Sequence, residues 1–409
     1  MSLTPASQQP DAPDRAPVPA IGSPELEALL RKFAELLPGD GDAQGLRQAI
    51  DLVRSSRIGA LRLPVAQGGA GASLQQLYQL VLRIAEVNSN LAHVLRNHFG
   101  FVERALYSAE LPKYRRWLQD AADGLLFGLG STELGTATVG VGTGNTRLTP
   151  DGDGWRLNGT KYYSTGNLYS DRLYVHAQLE DDRQVVAVIP TRREGVDVRD
   201  DWDAFGQKLS ASGTTLLRDV RVESDEVIGI DDQNRPLPVQ STFFQLYLTS
   251  IVTGILNAIV RDAKALLVNR GRNYYHAVAP IPKDDPLLQL SIGRLSAVAY
   301  VAESAVLRAA DALALAHETA QQGEVDAQQF VDAGLAAAKA KIVIDGLALE
   351  AASGLFDVAG ASATGARQAL DRHWRNVRTV SSHNPVSYKA RSIGQHELDG
   401  TPLPGFGFF

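Results

Sequence analysis

The chain has 409 residues, of which 44% are hydrophobic, and this length is sufficient for two or three packed layers or subdomains. Its 40 Lys and Arg residues against 46 Asp and Glu residues give a formal net charge of −6, which argues against nucleic acid or an anionic membrane as the main partner. The chain has no Cys, which excludes disulfides, thiolate metal sites and cysteine nucleophiles.

The order of the predicted elements is helical, then β, then helical, which indicates an α+β fold. Residues 1–22 are rich in Pro and Ala and indicate a disordered leader. Apolar residues at spacings of three and four predict an N-terminal helical domain over 23–125. Short runs of Val, Tyr and Thr predict a central antiparallel β domain over 126–235. Long Ala- and Leu-rich helices predict a C-terminal bundle over 236–395, and 396–409 form a tail.

The stretch between Arg235 and Arg261 carries no charge and is long enough for a membrane span. Polar residues interrupt it, among them Gln245, Thr249 and Asn257, and they favour a buried helix of a large bundle. The leader lacks the apolar segment of a signal peptide. We therefore expect a cytoplasmic protein without a membrane segment.

Met1 is the only Met, so the rest of the chain contains no sulfur. Because Met is a common filler of gaps in protein cores, its complete loss calls for an explanation. Drift in a GC-rich genome is one explanation, with Leu, Ala and Val replacing Met. The functional alternative is sulfur economy, in a protein that is made in quantity when sulfur is scarce.

The Gly-rich and His-containing segments predict neither a dinucleotide fingerprint nor a metal site. The segments GGAGAS at 68–73 and GVGTG at 140–144 lack the strand–turn–helix context of a fingerprint. The eight His residues are scattered, and none forms an HExxH motif or a facial triad. His93 and His98 are five residues apart and do not share a helix face at i, i+4 spacing. We expect no metal.

Three motifs are similar to those of the acyl-CoA dehydrogenase superfamily. They are PVAQGGAGAS near the first helices, FGLGSTE at 127–133 and NGTKYYSTG in the β region, and they occur in a helix–β–helix order. The resemblance covers roughly residues 25–400. It implies a flavin between the β domain and a C-terminal four-helix bundle, and a homotetramer.

The base that such a dehydrogenase requires is missing. That base is typically a Glu on a bundle helix, which removes the α-proton of the thioester, but no Glu lies between Glu226 and Glu303 or between Glu350 and Glu397. Instead, LDRHWRNVRTVSSHNPVSYKARSIG resembles the branch typified by dibenzothiophene monooxygenase and related sulfur-acquisition oxygenases. The branch implies that a separate NAD(P)H-dependent reductase delivers FMN as FMNH2, which reacts with O2 to give a C4a-hydroperoxide.

The same resemblance implies three catalytic positions. His383 stands where the branch places an imidazole beside the flavin, and an unperturbed pKa of about 6.5 suits a proton relay at neutral pH. The alternative is a helix-terminal His that binds free carbonyl groups. Thr165 in YSTG matches a hydroxyl residue beside the flavin. His98 in RNHFGF matches a His on the substrate side, and a buried structural His is the alternative.

Flavin contacts are implied in part by the resemblance and in part by charge. The loop that covers the flavin matches residues 131–133, and residues up to Gly142 form a candidate lid. Arg272 and Lys161 are candidate partners of the FMN phosphate, with solvated surface charge as the alternative. The predicted cofactor-binding residues are Ser131, Thr132, Glu133, Lys161, Tyr163, Ser164, Thr165, Arg272, Ser362 and His383.

The substrate stays open between a thiophene, a sulfone, a sulfinate and a thioether. Leu129 and Val380 depart from dibenzothiophene monooxygenase, which carries an Asn and a second His at these positions. Aromatic side chains on helices are more often plain core than pocket lining. The weak candidates for substrate contact are His98, Phe99, Phe205, Phe244 and Tyr247, and a place in the core is the alternative for the aromatic residues.

The sequence predicts a two-component, FMNH2-dependent monooxygenase that oxygenates a small organosulfur compound for sulfur acquisition. The lack of internal sulfur agrees with that role. One alternative is an FAD-dependent acyl-CoA dehydrogenase with an unrecognised base, and another is a flavin-dependent hydroxylase of a carbon substrate. The alternative that is not an enzyme is a binding or scaffold protein of the same fold that binds no flavin.

Overall fold

The computed structural model describes residues 16–136, 144–229, 240–324, 326–405 and 409. Most of the predicted leader and residues 137–143 of the candidate lid lie outside the described residues. Helices form both ends of the described chain, with a sheet between them. The α-helices are α1 (Pro24–Leu36), α2 (Ala43–Ser56), α3 (Leu74–Val87), α4 (Ser89–Val94), α5 (Arg96–Tyr107), α6 (Pro112–Ala122), α7 (Gln240–Asn269), α8 (Pro286–Gln321), α9 (Ala327–Ala359), α10 (Arg372–Ser381) and α11 (Val386–Asp399).

Side-chain caps fix where the early helices begin. Ser23 accepts a hydrogen bond from the backbone N–H of Leu26 at 3.1 Å, and α1 starts at the next residue, Pro24. Ser73 and Gln76 form a reciprocal capping box at the start of α3. These contacts satisfy N–H groups that a helix leaves without partners in its first turn.

The central sheet contains strands β1 (Phe127–Gly130), β2 (Arg147–Asp151), β3 (Gly154–Lys161), β4 (Arg172–Gln178), β5 (Gln184–Pro190), β6 (Val196–Val198), β7 (Thr215–Val222) and β8 (Val227–Ile228). Their order is β6-β7-β3-β2-β4-β5-β8, and β1 pairs with β4. The α+β class is confirmed, but the sheet is mixed, because β1 and β2 each pair with β4 in parallel. Residue alternation predicts that a segment is a strand and does not predict the direction of its neighbour.

Three long helices, α7, α8 and α9, form most of the C-terminal region. Two of them, α7 and α8, are long and apolar enough to cross a membrane by length and composition alone. In α7, 83% of the most apolar window is buried inside the protein, which confirms the interpretation of this charge-free stretch as a core helix. In α8 the corresponding share is only 22%.

The segment that holds His383 is a short turn between two helices. Helix α10 ends at Ser381 and α11 begins at Val386, after Pro385. The backbone N–H of His383 donates to the carbonyl of Val380 at 3.2 Å, which closes the last turn of α10. Because a residue before Pro is disfavoured in a helix, the Asn-Pro pair ends α10 and leaves the imidazole at the break.

Candidate flavin and substrate site

Three polar side chains share one helix face where α4 meets α5. His93, Arg96 and Asn97 stand at i, i+3 and i+4, and Leu95 between the helices keeps a right-handed helical conformation. All three side chains are buried, although their surroundings are mostly apolar. We call residues 93–97 the corner. Since buried polar groups need partners, the partners of these three side chains define the site.

His93 is held by Gln207, which belongs to the loop before β7. The Nδ1 atom of His93 lies 3.1 Å from Oε1 of Gln207, and Nε2 of Gln207 donates to Oγ of Ser89 at 2.8 Å. An amide oxygen only accepts, so Nδ1 of His93 carries the hydrogen and Nε2 keeps its lone pair. Burial, with the charge of Arg96 adding to it, lowers the pKa of His93 to about 3. The imidazole is therefore neutral at neutral pH.

Asn97 joins the corner to Thr165 of the β domain. Its Nδ2 atom donates to the carbonyl of Thr165 at 2.7 Å. The Oγ1 atom of Thr165 lies 2.8 Å from Oγ of Ser212, which in turn lies 2.8 Å from Oγ of Ser210. The predicted flavin-side hydroxyl of Thr165 is thus part of a buried chain of three hydroxyl groups.

Two polar atoms beside Thr165 are buried without a hydrogen-bond partner in the part of the chain that the structure describes. They are Oδ1 of Asn97 and Oγ of Ser164. Tyr163, which precedes Ser164, has a positive φ of 54° and exposes 54% of its surface, with its ring 6.0 Å from that of Trp202. Unsatisfied buried polar atoms next to an accessible aromatic ring fit the polar edge and the flat face of an isoalloxazine.

His383 stands in a positively charged environment. Desolvation by the surrounding protein lowers the pKa of His383 well below the usual value, although its side chain is accessible. The charges of Arg96 and His93 add to this effect. Lys341 and Lys389 act in the same direction. The lowered pKa favours the neutral form of the imidazole, and the role of His383 as a proton relay stays a prediction.

His98 occupies a different environment from the predicted substrate side. Its Nε2 atom donates to the carbonyl of Gly59 at 3.0 Å, and its Nδ1 atom accepts from the N–H of Phe127 at 3.3 Å. Burial lowers the pKa of His98 to about 4. Both ring nitrogens thus hold backbone groups together, which favours the structural alternative over the predicted catalytic role. His93, five residues earlier, is the one that lies near His383.

Lys161 and Glu133 neutralise each other inside the β domain. The Nζ atom of Lys161 donates to Oε1 of Glu133 at 2.7 Å, and both side chains are almost fully buried. Glu133 also accepts hydrogen bonds from Thr146, and together these bonds hold its pKa below the usual value although burial opposes this. This ion pair argues against Lys161 as a phosphate partner, and the place of Glu133 in a loop that covers the flavin stays a prediction. Lys161 is not free for a phosphate, and Glu133 anchors the loop after β1.

The other predicted flavin residues lie in two separate places. The carbonyl of Ser131 accepts from Lys161 at 3.3 Å, and that of Thr132 accepts from the backbone of Tyr162 at 2.8 Å. Arg272 is exposed in the loop after α7, and Ser362 is exposed just beyond α9. Arg270 in that loop donates to the carbonyl of Val358 at 3.3 Å, which brings the two segments together.

The predicted substrate-lining residues lie in three different environments. Phe99 and Tyr247 are buried core residues whose ring centroids are 6.4 Å apart. Phe205 exposes 52% of its surface and stacks on Trp374 at 6.0 Å. Only Phe244 reaches the charged side chains of the corner, with the Cζ atom of Arg96 4.7 Å above its ring. The structure therefore supports Phe244 and favours the core alternative for Phe99 and Tyr247.

Comparison with known proteins places this geometry in a family. Residues 246–388 match the family model described as acyl-CoA dehydrogenase, C-terminal domain. The chain is 32% identical over 413 residues to a dibenzothiophene monooxygenase of Rhodococcus erythropolis, with 97% of this chain and 96% of the relative covered. The chain belongs to the dibenzothiophene monooxygenase family. It is a flavin-dependent monooxygenase with the acyl-CoA dehydrogenase fold, as the resemblance of its motifs predicted.

Other relatives in this family bear names that specify the flavin and further substrates. A probable FMNH2-dependent monooxygenase, SfnC of Pseudomonas putida, is 29% identical over 96% of this chain and 99% of its own length. Methanesulfinate monooxygenase MsuC from Pseudomonas fluorescens superposes with a TM-score of 0.84 at 26% identity, covering 95% of this chain and all of that one. FMN-bound TdsC from Paenibacillus sp. A11-2 superposes with a TM-score of 0.81 at 27% identity, covering 93% and 99%.

Sequence reasoning missed His93, Arg96, Gln207 and Ser212. A signal for the first two was present, because the spacing of 93, 96 and 97 places three polar residues on one face of an otherwise apolar helix. No local pattern points to Gln207, whose partners are 118 and 114 residues away in the chain.

Proposed function

We propose that this enzyme transfers one oxygen atom of O2 to a small organosulfur compound, as the oxygenase of a two-component system for sulfur acquisition. A separate NAD(P)H-dependent flavin reductase supplies FMNH2, and no stable contact between the two proteins is required. The observation that carries the proposal is the end-to-end similarity to dibenzothiophene monooxygenase. It is combined with a corner that binds Thr165 through Asn97 and carries charges that act on His383. The absence of sulfur beyond Met1 fits an enzyme that is made when sulfur is scarce.

When bound, FMNH2 supplies two electrons and the reaction with O2, so that one oxygen atom enters the substrate and the other leaves as water. The residues beside Thr165 fit the polar edge of the flavin ring, since Oδ1 of Asn97 and Oγ of Ser164 are buried and have unused hydrogen-bonding capacity in the described chain. Arg272 and Ser362, on adjoining segments, are the proposed phosphate partners. Tyr163, Ser131 and Thr132 border the same ring site.

His383 and His93 are the groups that handle protons. Their pKa values are both lowered, which favours the neutral imidazole, in which one ring nitrogen donates a hydrogen bond and the other accepts one. Nδ1 of His93 is occupied by Gln207, which leaves Nε2 as its accepting atom. Burial of the corner excludes water, and this limits the unproductive release of hydrogen peroxide.

The exposed apolar face of α8 supports a homotetramer. Leu290, Tyr300 and Val301 expose 51%, 75% and 53% of their surface, although α8 is apolar enough to be a core helix. Exposed apolar surface of this extent marks an interaction site in proteins. A homotetramer in the cytoplasm, with α8 covered by other copies of the chain, accounts for it.

The test is oxygen transfer from isotope-labelled O2. The protein, FMN, a flavin reductase and NADH are incubated with methanesulfinate, dimethyl sulfone or dibenzothiophene, and the products are analysed by mass spectrometry. We expect one labelled oxygen atom per product molecule for at least one compound. Products without label, together with bleaching of bound FAD by an acyl-CoA, would instead identify a dehydrogenase.

A further inference from the structure

Arg96 is a buried cation without a carboxylate partner among the described residues. Only 9% of its surface is exposed, its Nε atom donates to the carbonyl of Phe244 at 3.3 Å, and its Cζ atom lies 4.7 Å from the centre of the Phe244 ring. No Asp or Glu oxygen of the described chain lies within 4.0 Å of it. Four other cations with largely buried side chains are paired with carboxylates, namely Arg62 with Glu103, Lys161 with Glu133, Lys341 with Asp345 and Arg372 with Asp262.

The hydroxyl groups around Arg96 do not supply the missing negative charge. Tyr78, Tyr174 and Tyr247 donate to the carbonyls of Phe243, Asn97 and Ala92 at 3.0, 3.3 and 2.9 Å. Burial raises the pKa of all three phenols, so they remain neutral. A buried charge without a counterion is unfavourable for folding, and its retention indicates a role in binding.

The groups around His383 extend this positive region. Arg96, Lys341 and Lys389 all act on His383 as positive charges, and Asp345 is bound by Lys341 at 2.6 Å. Within the part of the chain that the structure describes, Asp345 is paired with Lys341, whereas no carboxylate oxygen lies within 4.0 Å of Arg96. A guanidinium presents a planar set of donors that matches an oxyanion in a bidentate manner. The Phe244 ring beneath Arg96 offers an apolar contact for a short carbon chain on such an anion.

We propose that Arg96 binds the anionic head group of the substrate, so that the organosulfur compound is a small oxyanion of the alkanesulfinate type rather than a neutral thiophene or sulfone. This rests on the proposed function and narrows its substrate class. The other anion that enters the site is the flavin. We assign Arg96 to the substrate because it packs against Phe244 of α7, whereas the hydroxyl chain of Thr165 and the exposed Arg272 lie on other segments.

The experiment compares two probes of similar size and different charge, methanesulfinate and dimethyl sulfone. Their affinities are measured by calorimetry on the full chain saturated with oxidised FMN. We expect the wild-type protein to bind methanesulfinate at least tenfold more tightly than dimethyl sulfone. Arg96→Met should lose at least tenfold in methanesulfinate affinity with no change for dimethyl sulfone, and Arg96→Lys should retain part of the preference.

Arg116→Met is the matched control, because Arg116 also stacks on an aromatic ring, that of Trp117 at 5.6 Å, on a different helix. It should bind both probes as the wild-type protein does. Thermal unfolding of each variant establishes that the fold is intact. If Arg96→Met does not fold, the wild-type comparison tests the substrate class and Arg96→Lys tests the residue.

Equal wild-type affinity for the two probes, or unchanged methanesulfinate binding by Arg96→Met, would overturn the inference. So would an Arg96→Met variant that loses affinity for FMN alone. These outcomes leave the proposed function untouched if labelled oxygen enters a neutral sulfur compound. Conversely, tight Arg96-dependent binding of methanesulfinate without oxygen transfer to any sulfur compound would sustain the inference and refute the proposed function.

Discussion

Oε1 of Gln207 lies 3.1 Å from Nδ1 of His93 and fixes which nitrogen of that imidazole carries the hydrogen. Gln207 is fully buried and has a positive φ of 51°, and its backbone N–H donates to Oδ1 of Asn376 at 2.7 Å. A loop of the β domain, the corner and α10 are thus held together at one side chain. The orientation of His93 therefore depends on all three regions.

Replacing Gln207 by Leu should remove the hydrogen bond that keeps the hydrogen of His93 on Nδ1. NMR of isotope-labelled ring nitrogens should show hydrogen on Nδ1 in the wild-type protein and a mixture of both forms in Gln207→Leu. We expect the oxygenation rate to fall by about tenfold or more, because the accepting atom is no longer fixed. Gln207→Glu, which keeps an acceptor at this position, should preserve the Nδ1 hydrogen. Identical ring-nitrogen spectra in Gln207→Leu and the wild type would refute the assignment.

Lys161 should matter for stability and not for phosphate binding. Lys161→Met leaves Glu133 as an uncompensated buried charge, so we expect the free energy of unfolding to fall by about 3–5 kcal/mol. The measurement is denaturant unfolding, together with affinities for FMN and for riboflavin. The ratio of the two affinities should equal that of the wild type. A selective loss of FMN binding would restore Lys161 as a phosphate partner.

Arg272→Gln should show the opposite pattern. Since Arg272 is exposed, its loss should leave the stability of the protein within about 0.5 kcal/mol of wild type. Affinity for FMN should decrease, while that for riboflavin, which has no phosphate, should not change. The exposed Arg391→Gln variant on α11 is the matched control for loss of one charge. Equal losses for both flavins would exclude the phosphate contact.

The buried His residues predict loss of stability in acid. Burial lowers the pKa of His93 to about 3 and that of His98 to about 4, against about 6.5 in an unfolded chain. The unfolded state therefore binds more protons below about pH 6.5, and stability should fall as pH decreases through that value towards pH 4. These two residues alone should give a slope of roughly 3 kcal/mol per pH unit near pH 5. Urea unfolding between pH 5 and 7.5 measures it, and a flat profile would contradict the burial of both imidazoles.

The sequence predicted the fold well because its evidence was local. The periodicity of α3, the charge-free run of α7 and the Asn-Pro break before His383 each depend on neighbouring residues. The parallel pairing of β1 with β4 and the contact of Gln207 with His93 depend on residues far apart, and no local pattern encodes them. The sequence also did not reveal the partners of Lys161 and His98, because Glu133 and Gly59 are 28 and 39 residues away.

The most direct test of the central claim is the rate at which O2 oxidises FMNH2 in the presence of excess protein. Anaerobic protein and FMNH2 are mixed with O2 in a stopped-flow instrument, and flavin absorbance is followed for the wild type, His383→Ala and the control His396→Ala, whose side chain is half-buried on α11. We expect a flavin time course distinct from that of free FMNH2 in the wild type and in His396→Ala, and one shifted towards free FMNH2 in His383→Ala. Oxidation at the free-solution rate in the wild-type protein would contradict the account.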